Sequence, residues 1–118
     1  MSRSSAEFQG ILRVDSIAII LAGATLSNAV DLHGTSLVGI SVPSSFSGSQ
    51  LSIYSAISFD GVYRVVKNIN GTAATMTCVA NEHIALVPFD LASVRFIKVL
   101  SDVSQGGDCE ITLITRPV

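Results

Sequence analysis

Apolar and polar residues alternate with a period of two over several short stretches, and no stretch holds a 3.6-residue apolar stripe for the length of a helix. From Gln50 to Ser58, one face reads Leu51, Ile53, Ser55, Ile57 and the other Ser52, Tyr54, Ala56, Ser58. Near the C-terminus, Cys109, Ile111 and Leu113 alternate with Glu110, Thr112 and Ile114. Side chains one apart on a strand point to opposite faces, so both patterns predict strands with one face in a core. The unbroken run from Ile17 to Ala22 predicts a strand buried on both faces, on its length and isoleucine content. Further strands are predicted over 28–32, 37–42, 62–67, 72–79, 83–87 and 94–100, the second of these stopping at Pro43.

Turn chemistry separates these stretches. Asp60-Gly61 stands between two strand patterns and predicts a tight hairpin with Gly61 at positive φ. Asp31-Leu32-His33-Gly34, Asn68-Ile69-Asn70-Gly71, Ala80-Asn81-Glu82, Pro88-Phe89-Asp90 and the loop from Asp102 to Asp108 supply the other turns. Turns at this spacing predict an all-β, antiparallel β-sandwich of a jelly-roll-like kind, with about seven to nine strands and little helix. The expected core is Ile19, Leu21, Val38, Ile40, Leu51, Ile53, Ile57, Val65, Phe96, Ile97, Val99, Ile111 and Leu113. A chain of 118 residues suffices for one such domain. Residues 1–10 are polar and read as an N-terminal arm anchored by Phe8, and residues 11–118 as the single β-sandwich domain.

Composition adds an expectation about partners. Charged residues make up 14% of the chain, against about 25% in ordinary soluble domains. Mean hydropathy is +0.57, and serine and threonine supply most of the polarity. Too few charges are present to coat a free surface, so assembly is expected: a homo-oligomer with further surface covered by another protein. The net charge is −2, the seven Lys and Arg are dispersed, and Trp is absent; this excludes a basic nucleic-acid-binding stripe and an anionic-membrane patch. The longest apolar run, Ile17 to Ala22, is far short of the roughly 20 residues a membrane helix needs. Glu7, Arg13 and Asp15 precede it, which argues against a cleaved signal peptide and hence against glycosylation at Asn70-Gly71-Thr72. Cys78 and Cys109 are read as two buried free thiols.

Candidate chemistry is sparse. His33 and His83 lack His, Cys or carboxylate neighbours at ligand spacing. No G-x-S-x-G elbow occurs, and Ser47-Gly48-Ser49 is loop composition. Asp102 and Asp108 flank a loop containing Gly106-Gly107, which admits calcium as an alternative, yet the EF-hand pattern is missing. The expectation is therefore a protein that is not an enzyme, with no catalytic, cofactor-binding or metal residues.

Two resemblances refine this. Ser58-Phe59-Asp60-Gly61-Val62-Tyr63-Arg64-Val65-Val66, followed by Val94-Arg95-Phe96-Ile97-Lys98-Val99, resembles the discoidin-type galactose-binding jelly roll. The likeness covers the C-terminal half. The N-terminal half lacks that family's tryptophans, so no ligand residues carry over. Across more of the chain, Ala22-Gly23-Ala24-Thr25-Leu26-Ser27-Asn28-Ala29-Val30-Asp31-Leu32, then Leu37-Val38-Gly39-Ile40-Ser41-Val42-Pro43, Ser58-Phe59-Asp60-Gly61 and Arg95-Phe96-Ile97-Lys98-Val99 are similar to small virion proteins of tailed bacteriophages. This second resemblance implies a capsid decoration (cement) protein of the virion, assembled in the host cytoplasm. Its expected partners are itself, as a trimer, and the major capsid protein. Ser2, Arg3 and Phe8 of the arm would contact a neighbour, and Asp60 and Gly61 form a structural turn. A tail- or fibre-associated carbohydrate-binding module is the alternative, favoured if Tyr54, Phe59 and Tyr63 stand exposed together.

Overall fold

Nine strands arise from these patterns in the computed structural model, which describes residues 15–86 and 94–117. They are β1 (Asp15–Ile20), β2 (Val30–Asp31), β3 (Thr35–Ser41), β4 (Gln50–Ala56), β5 (Arg64–Val65), β6 (Thr75–Thr77), β7 (His83–Ala85), β8 (Phe96–Ser101) and β9 (Cys109–Pro117). All pairings between them are antiparallel. One sheet has the order β1-β9-β3-β7; the other runs β2-β8-β4-β5, with β6 also pairing β4. The expected all-β sandwich is therefore the observed fold, with no helix among the described residues. The arm residues Ser2, Arg3 and Phe8, and the turn Pro88-Phe89-Asp90, lie outside the described residues.

Strands β5 and β6 share one edge of β4. The Val66 amide donates to the Ile53 carbonyl at 2.9 Å, and the Ile53 amide donates to the Ala74 carbonyl at 2.9 Å. Between them Lys67 to Ala73 loops outward, closed by the Gly71 amide on the Asn68 carbonyl at 2.9 Å. Gly71 takes φ 82° there, the left-handed conformation that glycine adopts without a Cβ penalty.

The core lies between the sheets. Ala18 and Ile20 of β1, Leu37 and Ile40 of β3, Ile111 and Leu113 of β9 are fully buried, as are Leu51 and Ile53 of β4 and Ile97 and Val99 of β8. Burial of each of the larger aliphatic side chains contributes about 1.5–3 kcal/mol. Seven of the expected core residues, Ile40, Leu51, Ile53, Ile97, Val99, Ile111 and Leu113, are in place. The other six are corrected by strand parity, a bulge and the points where strands end. In β1 the inward positions are Ala18 and Ile20, so Ile19 is only half-buried and Leu21, beyond the strand, is exposed. A register shift between Leu37 and Gly39 leaves Val38 without a partner on β9, its carbonyl accepting from the Leu86 amide at 2.9 Å instead. That bulge lets Leu37 and Ile40 both face inward although they are three apart. Val65 and Phe96 sit on the outer face of the second sheet, half-buried. Strand β4 ends at Ala56, so the alternation stops one residue before Ile57, which is 100% exposed.

The strands run between two distinct ends. At one, here the hairpin end, β4 stops, β5 and β8 start, and β2 turns into β3 through the Thr35 amide on the Leu32 carbonyl at 3.0 Å. At the other, the loop end, four connections interlock. The Ser47 amide donates to Gln105 Oε1 at 2.8 Å, and Gln105 Nε2 donates to the Ser47 carbonyl at 2.7 Å. The Gly23 amide donates to the Gln105 carbonyl at 2.7 Å, and the Val42 amide to the Glu82 carbonyl at 2.7 Å. Asp102 accepts from the Ser49 amide, the Ser49 hydroxyl and the Gln50 amide. The Ala22 amide donates to Asp108 Oδ1 at 2.9 Å. Both aspartates considered for calcium thus tie loops together.

Two stability outcomes follow. Ile53→Ala should cost about 2–5 kcal/mol, the usual range for a buried isoleucine, whereas Ile57→Ala should stay within about 0.5 kcal/mol; urea melts measure both. At Gly48, φ is 124° and an added Cβ would lie 2.5 Å from Asp102 Oδ1. Gly48→Ala should therefore cost on the order of 1–3 kcal/mol, and its melting temperature should fall below that of Gly61→Ala.

Candidate interaction surface

The segment from Ile57 to Tyr63 links β4 to β5 and projects from the hairpin end. It is not the two-residue Asp-Gly hairpin that the sequence predicts. Phe59 and Asp60 are the central residues of the turn, which the Gly61 amide closes on the Ser58 carbonyl at 3.0 Å. Gly61 does not take a positive φ. Its lack of a side chain matters for space: a Cβ there would lie 2.7 Å from Ser58 Oγ and 3.2 Å from the Ser58 carbonyl oxygen. Serine at the first position and glycine at the fourth suit such a turn.

Behind this projection, side chains on the outer face of the second sheet form a continuous stack. Asp31 receives two hydrogen bonds from Arg95, Nε to Oδ1 at 3.0 Å and Nη2 to Oδ2 at 3.2 Å. The Arg95 guanidinium lies 4.9 Å from the Phe96 ring centre. Phe96 meets Phe59 edge to face, with centroids 6.0 Å apart at 84°. The Tyr63 hydroxyl donates to the Phe59 carbonyl at 2.7 Å, and the Lys98 ammonium lies 4.7 Å from the Tyr63 ring centre. Aromatic pairs and cation–π contacts of this kind contribute roughly 0.5–1.5 kcal/mol each. The stack therefore braces the projection against the sheet.

Electrostatics follow from these contacts. The Arg95 guanidinium, then the His33 amide, hold the Asp31 carboxyl below its ordinary range. The same Asp31 oxygen that accepts from Arg95 Nε accepts the His33 amide at 2.8 Å, which fixes His33 at φ 55°. Hydrogen bonds from Ser49 likewise lower Asp102. Burial raises the Tyr63 phenol. Cys78 and Cys109 are free and buried; burial pushes the Cys78 thiol up to about 11 and raises Cys109 as well. Both stay protonated at neutral pH and are poor nucleophiles.

The exposed residues at the tip are Ile57, Ser58, Phe59, Asp60 and Val62, three of them large and apolar. Ile57 is fully exposed, Val62 is 70% exposed and Phe59 is 47% exposed. Beside them Ser55, Ala56, Ile57, Val62, Arg64, Val65 and Val94 line an open groove of about 310 Å³. Tyr54, Phe59 and Tyr63 do not form a shared flat platform: Tyr54 and Tyr63 are half-buried, and Lys98 sits over the Tyr63 ring. His33 and His83 are exposed and lie apart, on the β2–β3 turn and at the start of β7. Among the described residues, no three His, Cys, Asp or Glu side chains converge into a group able to hold a metal. Sequence reasoning missed Ile57 and Val62 as surface residues, because alternation alone does not reveal where a strand stops.

With this geometry in place, comparison with known proteins gives one informative result. No family model and no curated protein matches the chain. Among solved structures, the crystal structure of the SPBc2 prophage-derived protein YomS is similar in fold: TM-score 0.53, 14% sequence identity, covering 88% of this chain and 94% of that one. The two chains share a sandwich over almost their full lengths.

The ion pair yields a pH prediction. Asp31 has its folded pKa below the unfolded value of about 3.9, so its contribution to stability is complete above that value and is lost as pH falls through the folded pKa. Asp31→Asn should therefore be less stable than the wild type at pH 7, and the two should converge in acid. Thermal melts across pH 2–7 read this difference directly; a gap that persisted undiminished at the acid end would contradict it.

Proposed function

We propose that this chain is a non-enzymatic structural protein of a bacteriophage virion, specifically a capsid decoration protein that binds and stabilises the head shell. The observation that carries this reading is the braced projection: Ile57, Phe59 and Val62 are held in water by a stack that fixes their backbone. Exposed apolar side chains on a pre-ordered element suit a protein partner, because docking costs little further ordering. The fold likeness to a prophage-derived protein and the sequence resemblance to small phage virion proteins point the same way. The low charge content agrees with a molecule whose surface is covered in its working state.

A decoration protein works by mass action. It binds the assembled lattice and not its dissociated parts, so it shifts the equilibrium toward the intact shell. Residues 1–10, with Ser2, Arg3 and Phe8, would add contacts to the shell or a sister subunit. The alternative, a carbohydrate-binding module on a tail or fibre, draws on the same face. It has less support, because the rings there stack on one another and under cations instead of presenting a platform.

The experiment is addition of purified chain to undecorated heads of the phage that encodes it. The chain should co-sediment with the heads at a fixed stoichiometry and raise the temperature at which they open. Val62→Asp should lower occupancy on the heads at least about tenfold, the scale for losing an interface anchor, with its own melting temperature unchanged. A chain that ignores heads yet binds an immobilised glycan would replace this reading with the alternative.

A further inference from the structure

The four-stranded sheet has two open edges, β1 and β7. At β1 the Ile19 amide donates to Asn28 Oδ1 at 2.7 Å, and the Ile19 carbonyl accepts from the Asn28 amide at 3.2 Å. The Ile19 backbone thus faces away from β9, and with a period of two so does that of Ile17. At β7 the Val42 amide donates to the Glu82 carbonyl and the Leu86 amide to the Val38 carbonyl. Glu82, Ile84 and Leu86 therefore face β3, and the His83 backbone faces out. Among the described residues, nothing takes up the outward Ile17 and His83 groups. These two residues share one rung of the sheet: Ile17 pairs Thr112, Thr112 pairs Ser41 and Ser41 pairs His83. Edge strands are commonly blunted by lysine or proline, and neither β1 nor β7 contains either. The flanks beside these edges are apolar as well. β1 approaches β2 on one flank, and on the other β6 leads into β7 through Val79. Setting aside the tip and Val103, the large apolar residues exposed among the described ones divide between these flanks. Ile17, Leu21 and Leu26 lie on the first, Ile69 and Val79 on the second. Ile69, on the outward loop between β5 and β6, is 100% exposed.

We propose that the β1 edge of one copy adds to the β7 edge of a second copy, so that the β1-β9-β3-β7 sheet runs on from subunit to subunit. Successive antiparallel pairings make β1 and β7 antiparallel to each other. A neighbour in the same orientation therefore offers its β7 to β1 as an antiparallel partner. A sideways step with no shift along the strands sets Ile17 opposite the partner's His83, and the two exchange both backbone hydrogen bonds. The outward groups at that rung are then satisfied, and the apolar flank of one copy meets the apolar flank of the next. Both halves of this contact are present in one chain, at one height and in opposed directions. A strand from an unrelated protein would have to match each edge separately. An antiparallel β1–β1 or β7–β7 pair would turn the two hairpin ends in opposite directions. The β1–β7 pair keeps every hairpin end on one side, where all the tips can meet one shell; this choice among the pairings rests on the decoration reading. A contact between two different patches of one molecule closes into a ring when the rotation allows and otherwise propagates. The trimer expected from the sequence is one such ring.

The test uses the full-length purified chain without heads. Its failure strikes the edge contact, while failure to bind heads strikes the decoration reading. Mass is followed by sedimentation velocity as a function of concentration. The wild type should self-associate, and amide hydrogen exchange at Ile17 and His83 should slow as it does. Ile17→Pro removes an outward amide and no bond to β9; His83→Pro likewise spares the bonds to β3. Edge strands accept proline at such positions, where the amide points to solvent. Each variant should weaken association at least about tenfold, for the loss of an interface hydrogen bond and of the fit around it. Ile17→Lys and Ile69→Lys, at exposed side chains, form a second pair should a proline variant misfold. Mixing the two proline variants is decisive. Each retains one intact edge, so the mixture should give a one-to-one dimer and nothing larger. A wild type that stays monomeric, a His83→Pro chain that assembles as the wild type does, or a mixture that remains monomeric overturns the inference.

Discussion

Everything in this molecule depends on the apposition of two central strand pairs, β3–β9 and β4–β8. Their inward residues, Ile40, Ile111 and Leu113 on one side and Leu51, Ile53, Ile97 and Val99 on the other, are fully removed from water. Those side chains set which face of each strand is buried. A slip of one residue in any central pairing would turn the apolar set outward. The bulge at Val38 is the visible compensation: it restores parity where Leu37 and Ile40 must both face the core. With the centre fixed in this way, the peripheral elements need little of their own. Strands β2 and β5 are two residues long and persist because a long neighbour supplies their partners.

The legibility of this arrangement in the sequence has a physical pattern. Where polar and apolar residues alternate cleanly, as from Leu51 to Ile53 and from Cys109 to Leu113, strand and facing are both evident. Where the run is uniformly apolar, as from Ile17 to Ala22, a strand is evident but its facing is not, and Ile19 was expected where Ile20 proves to lie. Parity there is set by pairing with β9, a partner some ninety positions away. The end of β4 was equally hidden, since Ile57 continues the alternation in sequence while the backbone has already left the sheet. The Gly61 turn shows a third limit. The dipeptide Asp60-Gly61 marks a reversal correctly, but the reversal is centred one residue earlier, and glycine serves there for lack of bulk and not for positive φ.

The segments that resemble the discoidin-type jelly roll, Ser58 to Val66 and Val94 to Val99, meet in space at the hairpin end. Phe59 meets Phe96, and Tyr63 meets Lys98. The Phe96 ring and the Lys98 ammonium on the strand beneath hold the two hairpin aromatics in place outside the core. The Lys98 ammonium covers one face of the Tyr63 ring. These two segments thus act in this chain as the brace for the tip beyond them.

Charge placement is the last consequence of the fold. A chain with few charged residues cannot distribute them evenly over two sheets and two sets of loops. The outer sheet faces include the uncharged Ser52, Thr75, Thr77, Ser41 and Thr112, and the Ser52 and Thr75 hydroxyls share a hydrogen bond at 2.9 Å. The charges collect where they do local work. Asp102 and Asp108 collect at the loop end, where backbone amides need acceptors, and Arg95 at the hairpin end, where Asp31 and Phe96 receive it. Carboxylates accept from amides and guanidinium groups donate, so loops rich in unpaired amides attract acids while a carboxylate-bearing turn attracts a base. Each placement answers a local need, and among the described residues their sum gathers Glu82, Asp102, Asp108 and Glu110 at the loop end and mixes both signs at the hairpin end.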